Sequence, residues 1–221
     1  MIKILKKLLL FKFFLLALNI NAQFASKNLP FNTIDIKDGL SSYTIRKIIQ
    51  DHYGFTWIAT KDGLNRYDSK SFKIYRKGLK GSEKIVGNDF WDMSEDTLRN
   101  LLWVISPYGG LNAIDLRKGN VVLDIPIVAT NKNFPNGWLR CLNICKDKIW
   151  IGTDDGLCVF DSEKKSFIQI EKLPFQRTNA IQNHSIDLIF VDQFDRVWVF
   201  IKNLGLAIYS GKNYKILETH F

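Results

Sequence analysis

Cysteine is scarce in this sequence. Three occur in 221 residues, at 141, 145 and 158, an odd number with no second cysteine pair and no histidine partner at zinc spacing. A disulfide framework and a structural zinc site are therefore not expected, nor is any other metal or cofactor. The thiols read as small buried hydrophobes, with a bridge from Cys141 or Cys145 to Cys158 as the alternative. Beyond residue 22 no segment approaches the ~20 apolar residues that span a bilayer. Clustered charge is missing as well. Lys61, Arg66, Lys70, Lys73 and Arg76 are scattered singly, the pattern of a solvated surface rather than of a nucleic-acid footprint.

What is present begins with a leader. Lys3, Lys6 and Lys7 precede an apolar run from Leu8 to Ile20, interrupted by Lys12, and Ala22 offers a small residue for cleavage. This is the layout of a secretory signal over residues 1–22 and points to an exported, periplasmic chain, an uncleaved membrane anchor being the alternative. The formal charge of +9 shrinks accordingly: the leader holds four of 31 basic residues and no acidic one, leaving 27 against 22, a formal +5. Nucleic acid is excluded as a partner. With 46% hydrophobic residues, 13% of all residues being aromatic, the remainder has ample material for a buried core.

The tryptophans reveal a period. Trp57, Trp103, Trp150 and Trp198 are separated by 46, 47 and 48 residues. Each is followed by Gly-Leu at Gly63-Leu64, Gly110-Leu111, Gly156-Leu157 and Gly205-Leu206, and four residues past each Leu stand Asp68, Asp115, Asp161 and Ser210. The first unit reads as strand Tyr43 to Gln50, turn Asp51 to Gly54, strand Phe55 to Thr60, turn Lys61 to Gly63, strand Leu64 to Tyr67 and strand Phe72 to Tyr75. Glycine supplies the positive φ of the tight turn, and Asp62, Asp154 and Asp155 read as turn residues bonding back to the backbone.

Four antiparallel strands per ~47 residues is the period of a β-propeller blade. The expected fold is all-β, with about four blades near 42–76, 87–124, 136–171 and 183–217, and the recurring Trp wedged between adjacent blades. A single four-stranded sheet cannot bury both faces alone, so each copy covers the next. Residues 31–36 read as an orphan fourth strand with no three-stranded host in the chain. The four blades are therefore expected to belong to a larger ring of about seven, completed by further blades, a second propeller or a homodimer.

The run Asp-Gly-Leu-Ser-Ser at 38 to 42, followed by Ile-Ile-Gln-Asp-x-x-Gly-Phe-x-Trp-Ile-x-Thr-x-Asp-Gly-Leu-Asn-x-Tyr-Asp from 48 to 68, resembles the two-component-regulator propeller repeat of the periplasmic sensors of hybrid histidine kinases. The third unit matches well. The second departs at Ser106-Pro107-Tyr108, the fourth at Ile201 and Ser210. The resemblance implies an extracytoplasmic sensor of glycan-derived oligosaccharides, of which this chain carries an N-terminal piece. No kinase motif is present, so no enzymatic activity is expected.

Two competing readings share part of the text. Asp51 to Trp57 also resembles the Asp-box turn of sialidase-type propellers, but that turn is structural, and a sialidase needs an arginine cluster that the spacing of Arg46, Arg140 and Arg177 does not announce. A passive protein-interaction propeller is the other, since fold alone does not fix function. For a ligand, alignment of the units places Arg46, Trp91, Arg140 and Asp187 at one position of the innermost strand. Structural positions repeat their residue type; this one does not. Nearby Tyr43, Tyr108, Trp138 and His184 add aromatic faces and donors suited to sugar rings. A channel mouth lined by solvated side chains is the plain alternative.

Overall fold

The computed structural model describes residues 31–80, 84–126, 137–168, 170 and 185–221; the leader and the proposed cleavage point lie outside them. Residues 34–221 form one compact unit, and the described stretch 31–33 belongs to another. Four antiparallel sheets of four strands, each in simple sequence order, account for all described strands. They are β1 to β4 at Ile45–Gln50, Thr56–Thr60, Gly63–Tyr67 and Phe72–Tyr75; β5 to β8 at Asp92–Asp96, Leu101–Ser106, Gly110–Asp115 and Val121–Pro126; β9 to β12 at Leu139–Cys145, Lys148–Thr153, Gly156–Asp161 and Ser166–Ile168; and β13 to β16 at Ile186–Val191, Arg196–Ile201, Gly205–Ser210 and Ile216–His220. These are the blades of a β-propeller.

Residues 31–35 are not a strand. Asp35 caps a short 3-10 turn over Ile36–Asp38 instead, taking the Lys37 amide while Asp38 takes the Asp35 amide. The last strand starts at Ile216, two residues after Tyr214, whose positive φ belongs to the preceding turn.

Each recurring residue has a local task. Asp68 accepts the amides of Lys70 and Ser71, Asp115 those of Arg117 and Lys118, and Asp161 those of Glu163 and Lys164. They fold the turn between the third and fourth strands of their blades. Ser210 does the same with its shorter side chain at 3.3 and 3.4 Å. At the tight hairpin, Thr60 and Thr153 rather than Asp62 and Asp154 supply the side chain that closes the turn, donating to Gly63 and Gly156 and accepting from Asp62 and Asp155. The Asp62 and Asp154 carboxylates go to Arg76 and Arg140.

The core lies between sheets. Trp57, Ala59, Leu64 and Tyr75 of the first blade pack with Phe90, Met93, Leu102 and Val104 of the second. Trp103, Ile105 and Leu111 pack with Leu142, Ile149, Ile151 and Phe160 of the third. Trp150, Cys141 and Val159 pack with Ile189, Val197, Val199 and Tyr209 of the fourth. Trp57, Trp103 and Trp150 are fully buried; truncating any of them to alanine would cost on the order of 3–5 kcal/mol. The inner strands β1, β5, β9 and β13 adjoin in succession, whereas β1 and β13 share no comparable interface.

Polar bonds reinforce these contacts. Asp92 accepts from Lys47 Nζ of the first blade, from its neighbour Met93 and, at 2.8 Å, from the Leu142 amide of the third. All three cysteines are free and buried. Cys141 belongs to the cluster facing blade four and Cys158 to the cluster facing blade two, on opposite faces of one sheet, so the alternative bridge between them does not form. Burial pushes the Cys141 thiol up to about 12 and raises those of Cys145 and Cys158.

Candidate functional site

The position that varies most between blades lies on the innermost strands, where a side chain has the propeller axis rather than a neighbouring sheet in front of it. The structure brings the residues aligned there together. The Arg46 guanidinium lies 4.9 Å from the centroid of the Trp91 ring, and that of Arg140 lies 5.8 Å from the same centroid. Both distances are within cation–π range. Arg46 Nε sits 3.8 Å from Asp89. Arg140 donates from Nε to Asp187 at 3.0 Å and from Nη1 to Asp154 at 2.8 Å. Burial disfavours the Arg140 charge, but Asp154 and Asp187 outweigh it and raise its pKa. Ser185 Oγ makes a further hydrogen bond to Asp187 at 3.1 Å.

An aromatic pair continues the surface. The Trp138 carbonyl accepts the Asp154 amide, which ties Trp138 to the hairpin that holds Arg140. Its ring meets Tyr108 at 4.8 Å between centroids. Tyr108 comes from the Ser106–Gly110 hairpin, the one that departs from the repeat, and both rings are exposed, at 64% and 48%. Two groups of the cluster are buried without a hydrogen-bond partner: Trp91 Nε1 and Asp89 Oδ1. Trp91 Nε1 is closed off from solvent, as are those of Trp103 and Trp150, so the aromatic faces open to a ligand are those of Tyr108 and Trp138.

Tyr43 is exposed ahead of β1 and makes no ring or hydrogen-bond contact with this cluster among the described residues. His184 and Arg177 lie outside those residues. Asp89 and Asp154 were missed as site residues by sequence reasoning. Asp154 reads as turn chemistry, and Asp89 stands where the other units have Thr44, Trp138 and Ser185, so no repeated residue type marks it. The available signal was the arginine excess at the variable position, which demanded acidic partners somewhere. Among the described residues no group of three His, Cys, Asp or Glu side chains is placed to hold a metal.

Two guanidinium groups facing three carboxylates leave no bare positive field. The arrangement offers aromatic faces with fixed donors and acceptors between them, which suits a polyhydroxylated neutral ligand better than an anion.

No known protein-family profile matches the chain. Among curated proteins, a 77-residue stretch is 40% identical to histidine kinase P4 of Formosa agariphila, covering 35% of this chain and 5% of that protein. Among solved structures, the extracellular domain of a one-component system from B. thetaiotaomicron superposes with a TM-score of 0.62 at 19% identity, over 82% of this chain and 25% of that one. The chain is similar to extracellular sensor propellers. A second B. thetaiotaomicron structure, the extracellular domain of a hybrid two-component system, gives a TM-score of 0.51 at 17% identity over 78% of this chain and 27% of that one. PorZ, a surface component of the type-IX secretion system of Porphyromonas gingivalis, gives 0.55 at 17% identity over 80% and 27%. These likenesses establish the propeller fold. The chain spans about a quarter of each solved structure and a small part of the curated kinase.

Proposed function

We propose that this chain is the extracytoplasmic, ligand-sensing propeller portion of a two-component regulator, and that it recognises a glycan-derived oligosaccharide. The observation that carries this reading is the exposed Tyr108–Trp138 pair, which adjoins the cluster of Arg46, Trp91 and Arg140. A sugar ring would stack on the faces of that pair. The stretch shared with a histidine kinase and the sensor domains that have this fold support signalling as the context, and an extracytoplasmic location agrees with both. A sialidase-like enzyme is disfavoured, because Arg46 and Arg140 are each engaged by carboxylates of their own instead of converging on a substrate carboxylate. The PorZ likeness keeps a protein-interaction role in view; a neighbouring gene encoding more repeats and a kinase would decide for sensing.

Calorimetry with a panel of neutral and acidic glycan oligosaccharides tests the proposal. Binding of a neutral oligosaccharide, weakened about tenfold or more by Trp91→Ala and by Arg140→Ala, is expected; tenfold corresponds to about 1.4 kcal/mol. Unchanged affinity in both variants would leave these residues as channel lining.

A further inference from the structure

A row of cross-strand neighbours runs outward from the tryptophan of each blade. In the second and third blades it is apolar: Trp103, Ala113 and Leu123, then Trp150, Val159 and Ile168. In the first blade the row reads Trp57, Arg66 and Lys73. Two cations on β3 and β4 thus stand side by side where the next two blades place hydrocarbon.

Neither cation has a carboxylate partner among the described residues. Arg66 Nη2 donates to the Leu116 carbonyl at 3.1 Å. Lys73 Nζ donates to the Gly119 carbonyl, which also takes the Tyr75 hydroxyl at 3.0 Å. The Arg66 guanidinium lies over the Phe55 ring, 3.5 Å from its centroid, and its Nε is buried without a bond. Burial first, and then the Arg66 charge, lower the Lys73 pKa. Two like charges held together without a counterion are costly. Apolar residues, as in the next two blades, would avoid that cost.

The second-blade turn that receives these donors is equally unusual. Asp115 to Gly119 corresponds to Asp161 to Lys165 and to Ser210 to Tyr214. The last residue has a positive φ in all three, 64° at Gly119, 51° at Lys165 and 60° at Tyr214, so φ alone does not demand glycine here. What glycine provides is space. A Cβ on Gly119 would meet Arg66 Nη1 at 2.8 Å, Tyr75 Oη at 3.1 Å and Lys73 Nζ at 3.4 Å; three donors converge on the side where a side chain would begin. In the fourth blade Tyr214 takes the corresponding place, packed against the core shared with the third, its ring centroid 6.1 Å from that of Trp150. Gly119 leaves that place open beside two cations without a counterion. Lys73 is exposed, so the opening can be reached from solvent.

We infer that Arg66, Lys73 and the Tyr75 hydroxyl, gathered over Gly119 between the first and second blades, bind a tetrahedral oxyanion, a sulfate or phosphate group. Its oxygens take charge-assisted bonds from the guanidinium and the ammonium, and its charge neutralises what the protein leaves unpaired. The site lies on the third and fourth strands of its blade, whereas the Trp91 cluster lies on the innermost strands, and it does not depend on the sensing role.

Calorimetry of the purified chain with sodium phosphate and sodium sulfate, at an ionic strength held constant with sodium chloride, tests the inference. Saturable binding of at least one of the two anions is expected. Lys73→Gln and Gly119→Ala should each weaken it about tenfold or more, the first by removing a donor and the second by filling the opening. Lys70→Gln, which removes an exposed lysine of the same blade, should leave it unchanged. Lys165 and Tyr214 show that the turn accepts a side chain, so Gly119→Ala is expected to fold; Arg66→Gln takes its place if it does not. Glucose 6-phosphate and glucose 6-sulfate, run beside the free ions, distinguish an ester-borne group from a free ion as what the site holds, and binding of either supports it. No saturable binding by any of the four would overturn the inference. So would unchanged affinity in Lys73→Gln and Gly119→Ala, or equal weakening by Lys70→Gln, the mark of an adventitious ion on a basic surface.

Discussion

Asp51 and Asp192 hold their tryptophans by the same latch. Asp51 accepts the Tyr53 and Phe55 amides on one oxygen and Trp57 Nε1 on the other, at 2.7 Å. Asp192 repeats this with Phe194, Arg196 and Trp198. In the second blade Asp96 is one residue further from Trp103 and is taken by Arg99, and in the third the turn runs from Cys145 straight to Lys148, so Trp103 and Trp150 keep a buried N–H without a partner. Asp51→Ala is therefore expected to cost about 2–3 kcal/mol in denaturant titration. Trp57→Phe should cost more than Trp103→Phe, because only the first change strands an acceptor. For Asp192, burial pushes the carboxyl pKa up, but the Trp198 indole and the amides of Arg196 and Phe194 prevail and lower it; Asp68 is lowered by the Ser71 and Lys70 amides. A carboxylate with a depressed folded pKa takes up its proton more readily unfolded. The stability it contributes is present above about pH 4 and lost as pH falls through the folded value. The urea midpoint should fall steeply below pH 4, less so in Asp192→Asn. The three thiols should resist a thiol reagent at pH 8 until the chain unfolds, since each is buried and raised in pKa.

Blades were legible because what defines them is local. The spacing from Trp to Gly-Leu to Asp spells one hairpin and the turn after it, all within about a dozen residues. The N-terminal segment was misread for the same reason: Phe31 to Ile34 has a strand's composition, but a strand also needs an edge, which no local pattern reveals. Further along, Asn65 pins the chain ahead of the first blade: it accepts the Ser41 amide and donates to the Ser41 hydroxyl. Asn112 pins Val86 in the same way ahead of the second blade. How closely blades approach was also hidden. A Cβ on Gly152 would lie 2.6 Å from both Cys141 Sγ and Ile186 Cγ2, so Gly152→Ala forces the third and fourth blades apart. A loss of about 1–3 kcal/mol is expected, read as a lower melting temperature, with Gly54→Ala comparing strain of positive φ where no atom stands within 4 Å.

In the whole molecule, the site emerges from residues 40 to 50 positions apart. Alignment placed Arg46, Trp91, Arg140 and Asp187 on one inner line because they share a register; it could not show that Arg140 bonds Asp187, which depends on how far one blade is rotated against the next, while also taking Asp154 of its own blade. The same holds for Asp92, whose carboxylate touches three consecutive blades. Its bond to Leu142 has a consequence for timing. The Leu142 amide is protected by a side chain of the neighbouring blade, so its hydrogen is exposed whenever those two blades part. In Asp92→Ala, deuterium should enter at Leu142 about tenfold faster or more, while amides in the β14–β15 ladder keep their rates. Uptake at that one position would then act as a clock for the parting of the second and third blades, ticking without either sheet coming undone.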